Sequence, residues 1–312
     1  MSEVDGGQPW EKFKLTWERR RYAPFGMGRG AAVAHSSLAY FSSEGSDEVF
    51  LYDFEKDDWS KLPKCYRIRF GLAVINNILT AVGGILHGQY TNCLSSFSGG
   101  EWVTVFPPMP TKRCWPVIIS AQNYLIAVGG YGVGGYLSTV EVMDMNTLEW
   151  YTAASLPEPV DDMSATVCGG RLYLLGGYGN YGLTHAVFTC TLDSLIRPPS
   201  QTPPHTSEAS VWQRVADVPV MKSTCITLND KVLAVGGVDS HDSPTPAVHM
   251  YNPESDLWLL LGNMTTARYH CLVVGLRDCI IAVGGLIDDY ALCATVEVGY
   301  LKLSGGCCIC SV

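Results

Sequence analysis

A short apolar run that closes on two glycines returns five times along the chain: LTAVGG ending at Gly84, LIAVGG at Gly130, LYLLGG at Gly177, VLAVGG at Gly237 and IIAVGG at Gly285. The intervals are 46, 47, 60 and 48 residues. A tryptophan follows each of the first four pairs: Trp102, Trp150 and Trp258 come 18, 20 and 21 residues later, and Trp212 comes 35 later, across an insertion. Tyr52, Met143 and Tyr251 each stand seven residues before Trp59, Trp150 and Trp258. Fixed self-similarity of this kind must be explained before any local feature, because it dictates the architecture.

Each run is apolar at nearly every position, without alternation, so it predicts a strand buried on both faces. A period near 47 residues suits a unit of four short strands. Four-stranded sheets covered on both faces and repeated along a chain stack around an axis as a β-propeller. Composition agrees: charged residues are 16% where helical bundles and coiled coils need far more, aromatics are 11%, and there are 32 glycines. The glycines suit the end of an inner strand, where units crowd and the backbone needs positive φ or a close approach. The tryptophans suit an outer strand, where the gap between units widens.

With double glycines at 83–84, 129–130, 176–177, 236–237 and 284–285 and tryptophans at 59, 102, 150, 212 and 258, the chain resembles the Kelch repeat family. The stretch MTTARYHCLVVGLRDCIIAVGG, residues 264–285, is near that family's consensus, and the resemblance covers roughly residues 10–301. A sixth, degenerate unit reads from Gly30 to Pro63, with Ser42 and Ser43 where the glycines would fall. After Gly285 comes one more strand, TVEVGYL, and no tryptophan. The expectation is an all-β, six-bladed Kelch propeller whose ring is closed by an outer strand from the N-terminus, PWEKFKLTW, with Trp10 in the tryptophan's place and Trp10, Phe13 and Leu15 facing residues 295–301. Residues 10–301 then form a single domain with tails at 1–9 and 302–312, leaving no room for a BTB or F-box segment. A Pro/Ser-rich insertion, residues 194–210, is expected to be extended or disordered on the face away from the b–c loops.

With strands lettered a to d outward from the axis, the b–c loops and d–a connections emerge on one face, which in Kelch proteins usually binds the partner. The b–c loops carry Tyr90, Tyr131, Tyr136, Tyr178, Tyr181 and Tyr290. Tyrosine combines a large contact area with a polar tip, so these rings read either as a contact surface or as cover over the propeller mouth. The d–a connections carry Arg19 to Arg21, Arg67, Arg69, Lys112, Arg113, Lys222 and Arg268, with Asp161 and Asp162 breaking the series. The resemblance implies that arginine at such positions grips acidic peptide segments, with Arg268 and Arg113 the nearest matches. The candidate partner-binding residues are therefore Arg67, Arg69, Arg113, Arg268 and the six tyrosines.

Catalysis is not expected. Kelch propellers similar to galactose oxidase are copper enzymes, but His87, His185, His241 and His249 lack ligand spacing, and a turn explains Asp239, His241 and Asp242 as well as a metal does. The glycine-rich YGVGGYLS has no GK[ST] and precedes a strand, so it is not a phosphate loop. No catalytic residue, metal or cofactor is expected. A net charge of −9 argues against a general nucleic-acid binder, and no stretch of 18 apolar residues argues for a membrane span. The polar N-terminus and 12 cysteines, several inside apolar runs, point to reduced thiols in the cytoplasm. The tail cysteines Cys307, Cys308 and Cys310 have no prenylation spacing. The function expected is a monomeric, non-catalytic module for a protein or peptide partner, an acidic segment being the fitting chemistry; the alternative is an enzyme or small-molecule binder using the central channel.

Overall fold

A computed structural model describes residues 13–196, 211–288 and 291–303. Trp10, Arg197, Tyr290, the rest of the insertion from 197 to 210 and the three tail cysteines lie outside the described residues.

The described residues form six four-stranded antiparallel sheets. Sheet 1 is built from Ala32–His35, Leu38–Ser42, Val49–Asp53 and Asp58–Lys61, and sheet 2 from Gly71–Ile75, Ile78–Val82, Leu94–Ser98 and Glu101–Val103. Sheet 3 holds Val117–Ala121, Tyr124–Val128, Val140–Asp144 and Glu149–Thr152, and sheet 4 holds Ser164–Cys168, Arg171–Leu175, Val187–Thr191 and Gln213–Val215. Sheet 5 comprises Thr224–Leu228, Lys231–Val235, Ala247–Asn252 and Leu257–Asn263. Sheet 6 comprises Leu272–Leu276, Cys279–Val283, Val296–Leu303 and, as its outermost strand, Phe13–Arg19. The first strand of each sheet touches the first strands of the sheets before and after it, and that of sheet 6 returns to that of sheet 1.

The core lies in the gaps between sheets. Six apolar clusters fill six gaps; one joins Ile126 and Val142 of sheet 3 to Leu174 and Phe188 of sheet 4, and another joins Ile281 and Val298 of sheet 6 to Phe41 and Tyr52 of sheet 1. The glycine-terminated runs are the second strands, and Leu233 to Val235 and Ile280 to Val283 are fully buried, so two-sided coverage explains the missing alternation. At the glycine pairs the neighbouring sheet comes too near for a side chain: a Cβ on Gly129 would lie 2.5 Å from the carbonyl oxygen of Val160, and its φ is +55°.

The tryptophans of sheets 1 to 5 tie each of those sheets to the connection arriving from the sheet before. Trp59, Trp102, Trp150, Trp212 and Trp258 donate their indole N–H to the carbonyls of Arg21, Pro63, Pro107, Ala154 and Ala216, at 2.8 to 3.3 Å.

Three details differ from the sequence reading. In sheet 1, Ser42 faces Val49 as Val128 faces Val140 in sheet 3, so the glycine pair is replaced by Ser43 and Glu44, not by Ser42 and Ser43. In the outer strand of sheet 6 the register runs from Phe13 opposite Leu303 to Arg19 opposite Glu297, which takes the strand past residue 301. Trp17 takes the tryptophan's place there, against Gly299, whose Cβ would lie 2.9 Å from the ring. The insertion opens with a short helix, Leu192–Ile196, because Leu195 has an apolar site to fill beside Trp212.

Candidate functional site

The b–c loops and d–a connections do share a face, since they hydrogen-bond to one another. Arg67–Ile68 pairs with Ile85–Leu86, and Val160–Asp161 pairs with Tyr178–Gly179. At the centre of this face is the mouth of the axial channel, and one residue from each sheet surrounds it: Arg29, Arg69, Trp115, Asp162, Lys222 and His270. All six have left-handed backbone, with φ between +45° and +57°. The N–H of Trp115 donates to the carbonyl of Arg69, that of His270 to Lys222 and that of Arg29 to His270, at 2.8 to 3.0 Å, so the ring is laced from sheet to sheet. The conformation costs an L-residue roughly 1–2 kcal/mol, and no position in the ring is glycine or asparagine.

Two cavities open inside the ring. One of about 180 Å³ runs into the channel and is lined by Arg29, Asp162, His270, Ser164, Thr224 and Cys225 among others. A side pocket of about 70 Å³ lies between Arg29, Arg69, Trp115 and Glu44. Arg29 bonds Asp162 at 3.0 Å and reaches Glu44 at 3.5 Å; Arg69 reaches Glu44 at 3.4 Å. The Arg69 and Arg29 guanidinium groups lie 4.2 and 5.1 Å from the Trp115 ring centre, within cation–π range. Lys222 sits over the Tyr269 ring.

The mouth perturbs its titratable groups. Burial, with the negative Asp162 next to it, pushes the Asp161 carboxyl up to about 7, against the opposing pull of Arg29. Burial lowers the pKa of His270, although Asp162 is 3.8 Å from its Nε2. For Arg29 burial works against the charge, but Asp162 and Glu44 outweigh it and the pKa is raised. Burial also raises the nearby Cys114 thiol to about 11.

Of the four arginines expected to meet a partner, three are buried. Arg113 and Arg268 are 0% exposed and Arg67 is 3% exposed. Arg113 donates to the carbonyl of Gly129 at 2.8 Å and pairs with Glu141 at 2.8 Å; Arg268 donates to the carbonyl of Gly284 at 3.0 Å and pairs with Glu297 at 3.1 Å. Arg67 donates to the carbonyls of Gly83 and Cys93 and to the Ser95 hydroxyl. The rigid guanidinium fork satisfies carbonyls that bend out of the sheet at the glycine pair, so these side chains point into the wall. Only Arg69 of the four reaches the mouth. Arg20 and Arg21 are held by Glu18 and Asp58.

Four of the six tyrosines come together. Tyr90, Tyr131, Tyr136 and Tyr178 form a continuous arc with ring centres 6.2, 5.1 and 5.9 Å apart. Tyr181 stands clear of it, 100% exposed at its loop tip, near the chain position of Tyr178, and Val133 is 89% exposed on the preceding loop. The turn reading of Asp239 holds: its carboxylate accepts from the N–H groups of His241 and Ser243. Among the described residues no three His, Cys, Asp or Glu side chains are grouped to hold a metal.

Arg29, Glu44, Trp115 and His270 were not singled out in the sequence. The signal is nonetheless present: Arg69, Trp115, Asp162, Lys222 and His270 each lie 14 residues before the first glycine of their pair, and Arg29 lies 14 before Ser43. The buried arginines lie 16 before.

The Kelch motif matches residues 116–157 and 223–265. Mouse Kelch-like protein 35 is 26% identical over 237 residues, covering 75% of this chain and 38% of the relative. The Kelch repeat and BTB domain-containing protein 1 of cowpox virus is 23% identical over 268 residues, covering 81% of this chain and 44% of the relative. This chain thus spans less than half the length of the curated relatives it matches. The solved structure of YjhT superposes with a TM-score of 0.72 at 15% identity, over 89% of this chain and 95% of that one. With Kelch motifs in two of its sheets, Kelch-like relatives along three quarters of its length and a ring of four-stranded sheets, this is a Kelch-repeat β-propeller chain.

Proposed function

We propose that the chain is a non-catalytic interaction module that receives a protein or peptide segment on the face bearing the channel mouth. The observation that carries this is the exposure of Tyr181 and Val133 on the loops that also carry the arc of Tyr90, Tyr131, Tyr136 and Tyr178. Large apolar side chains held out by tight turns, around a charged centre, have the make-up of a contact surface: aromatic anchors with a polar middle. An acidic segment is the fitting chemistry, met by Arg29, Arg69 and Lys222, since Arg67, Arg113 and Arg268 are committed to the wall. The relatives' names speak for Kelch repeats and, in the viral protein, a BTB domain; that this chain serves as an adaptor is part of the same reading.

Proximity labelling in cells tests it. A Tyr178→Ser/Tyr181→Ser double variant should lose the partners of the unaltered chain, while Leu257→Ser/Leu260→Ser, on the outer strand of sheet 5, should keep them. The opposite pattern moves the contact surface to the outer edge and ends the reading.

A further inference from the structure

The outer strand of each sheet is an edge, with a paired strand on one side only and a row of backbone groups facing outward. Five of the six edges are guarded by charge. Asp58–Lys61, Glu101–Val103, Glu149–Thr152, Gln213–Val215 and Phe13–Arg19 each hold at least one charged residue. The outer strand of sheet 5, Leu257–Asn263, reads LWLLLGN and holds none. The tryptophans align the six. One residue before the tryptophan, Leu257 stands where sheets 1, 2 and 3 have Asp58, Glu101 and Glu149. Two residues after it, Leu260 stands where sheets 1, 4 and 6 have Lys61, Arg214 and Arg19.

The two leucines are 55% and 62% exposed, and among the described residues no other outer strand exposes a large apolar side chain. The fold's own packing does not use them: it is Leu261 that fills the gap to sheet 6, and Gly262 that lies against Leu15. Natural sheets place charge on long edges because an open apolar edge pairs with another strand. The ends of this strand also differ in sign. The turn before it exposes Glu254, while Asp256 in the same turn is taken by the Tyr251 hydroxyl and the Ala216 N–H. Beyond its other end stands Arg19, exposed, with its Nε 3.4 Å from the Thr265 hydroxyl. Among the described residues neither Glu254 nor Arg19 makes a salt bridge, although Arg20, Arg21 and Arg214 do.

We infer that Leu257–Asn263 is a self-association surface, on which a second copy of this chain lays its own Leu257–Asn263 antiparallel, about a two-fold axis, so that the two copies of sheet 5 become one eight-stranded sheet. The lack of charge selects this occupant. In a two-fold pairing the same patch serves both sides, so a charge at its centre would lie beside its own copy and repel it. A strand of another protein could be met by opposite charge, and its edge need not be blank. The ends agree: the antiparallel arrangement brings Glu254 of each copy towards Arg19 of the other, whereas a parallel one would set like charges together. Each strand runs from the turn at Glu254, on the face away from the mouth, towards the mouth face. The pairing therefore turns the two channel mouths to opposite sides and covers neither. The sequence led us to expect a monomer; the unguarded edge points to a dimer, independently of the partner-binding reading above.

Sedimentation velocity on the purified full chain tests it. The unaltered chain should reach twice its mass as its concentration is raised to roughly 100 µM. Leu257→Glu/Leu260→Lys installs the charges that the guarded edges carry. It should weaken the dimer by about tenfold or more for each leucine and keep the melt of the unaltered chain, because both positions are exposed. Arg19→Glu and Glu254→Lys should each weaken the dimer, and the two together should restore it; a melt like that of the unaltered chain qualifies each variant. A chain that keeps its monomer mass over the whole range overturns the inference, whether another strand or water meets the edge. A dimer that ignores Leu257→Glu/Leu260→Lys overturns it too, and so does a double charge swap no better than its single members. Partner capture through Tyr178 and Tyr181 should survive Leu257→Glu/Leu260→Lys, so the dimer and the binding face can each fail alone.

Discussion

Arginine does two unlike jobs in this fold, at positions two residues apart. Arg69 opens to the mouth, while Arg67, Arg113 and Arg268 are sealed behind the glycine pairs. Removing Arg113 or Arg268 strands a carboxylate: Arg268→Ala leaves Glu297, itself fully buried, without its cation. Losing one member of a buried pair costs about 3–5 kcal/mol, so Arg268→Ala should lower the melting temperature sharply before any binding is measured. Arg268→Met with Glu297→Leu should restore most of the loss. The chain already carries the apolar version, since Met27, Val160 and Val220 stand buried at the equivalent positions of sheets 1, 4 and 5. Calorimetry of the single and double variants decides it. Asp161 makes a second residue-scale prediction. Its folded pKa of about 7 lies above the ordinary 3.8. The folded state therefore holds the proton more tightly than the unfolded chain, and stability falls as pH rises between those values. Asp161→Asn should abolish that slope and stabilise the protein at pH 8 by up to about 4 kcal/mol, with little effect at pH 4; equal melting shifts at both pH values would refute it.

At the scale of strands, the glycine-terminated runs were readable from sequence because full burial removes alternation and leaves a solid apolar word. The tryptophans were readable for a related reason: one large ring must fill each outer gap. The strand Phe13–Arg19 was legible in kind but not in register, since Trp10 and Trp17 both fit the pattern and only the pairing of Trp17 with Gly299 separates them. The degenerate pair was misplaced by one residue because serine at 42 and 43 looks alike from either side; the ladder opposite Val49 resolves it. Leu15 and Trp17 cover apolar residues of sheets 5 and 6. Deleting residues 1–19 should uncover them and leave an unpaired edge on Val296–Leu303, giving aggregation or loss of the cooperative melt. A truncated chain that melts like the intact one would show that this strand is dispensable.

Across the whole molecule, the axis and the wall were confused in the sequence reading for a specific reason. Positive charge at the start of each unit looks the same whether the side chain turns into a sheet or out over a channel. Only the backbone settles the direction: the left-handed residue 14 before the glycine pair faces the mouth, and the residue 16 before it faces the carbonyls of its own sheet. The acidic partners of the mouth, Glu44 and Asp162, were invisible as partners because they come from sheets 1 and 4, which the ring alone brings together.

The pairing of the outer strand also determines how the molecule answers to tension. Phe13 lies opposite Leu303, at the same end of the ladder, and Arg19 lies opposite Glu297 at the other. A pull on the two ends of the described chain therefore loads one rung at a time. The strand peels like a zipper from Phe13 inward, at low force, where a pull along the ladder would have to shear seven paired residues together. Heat has to open an apolar gap, whereas traction has only that single fastening to undo.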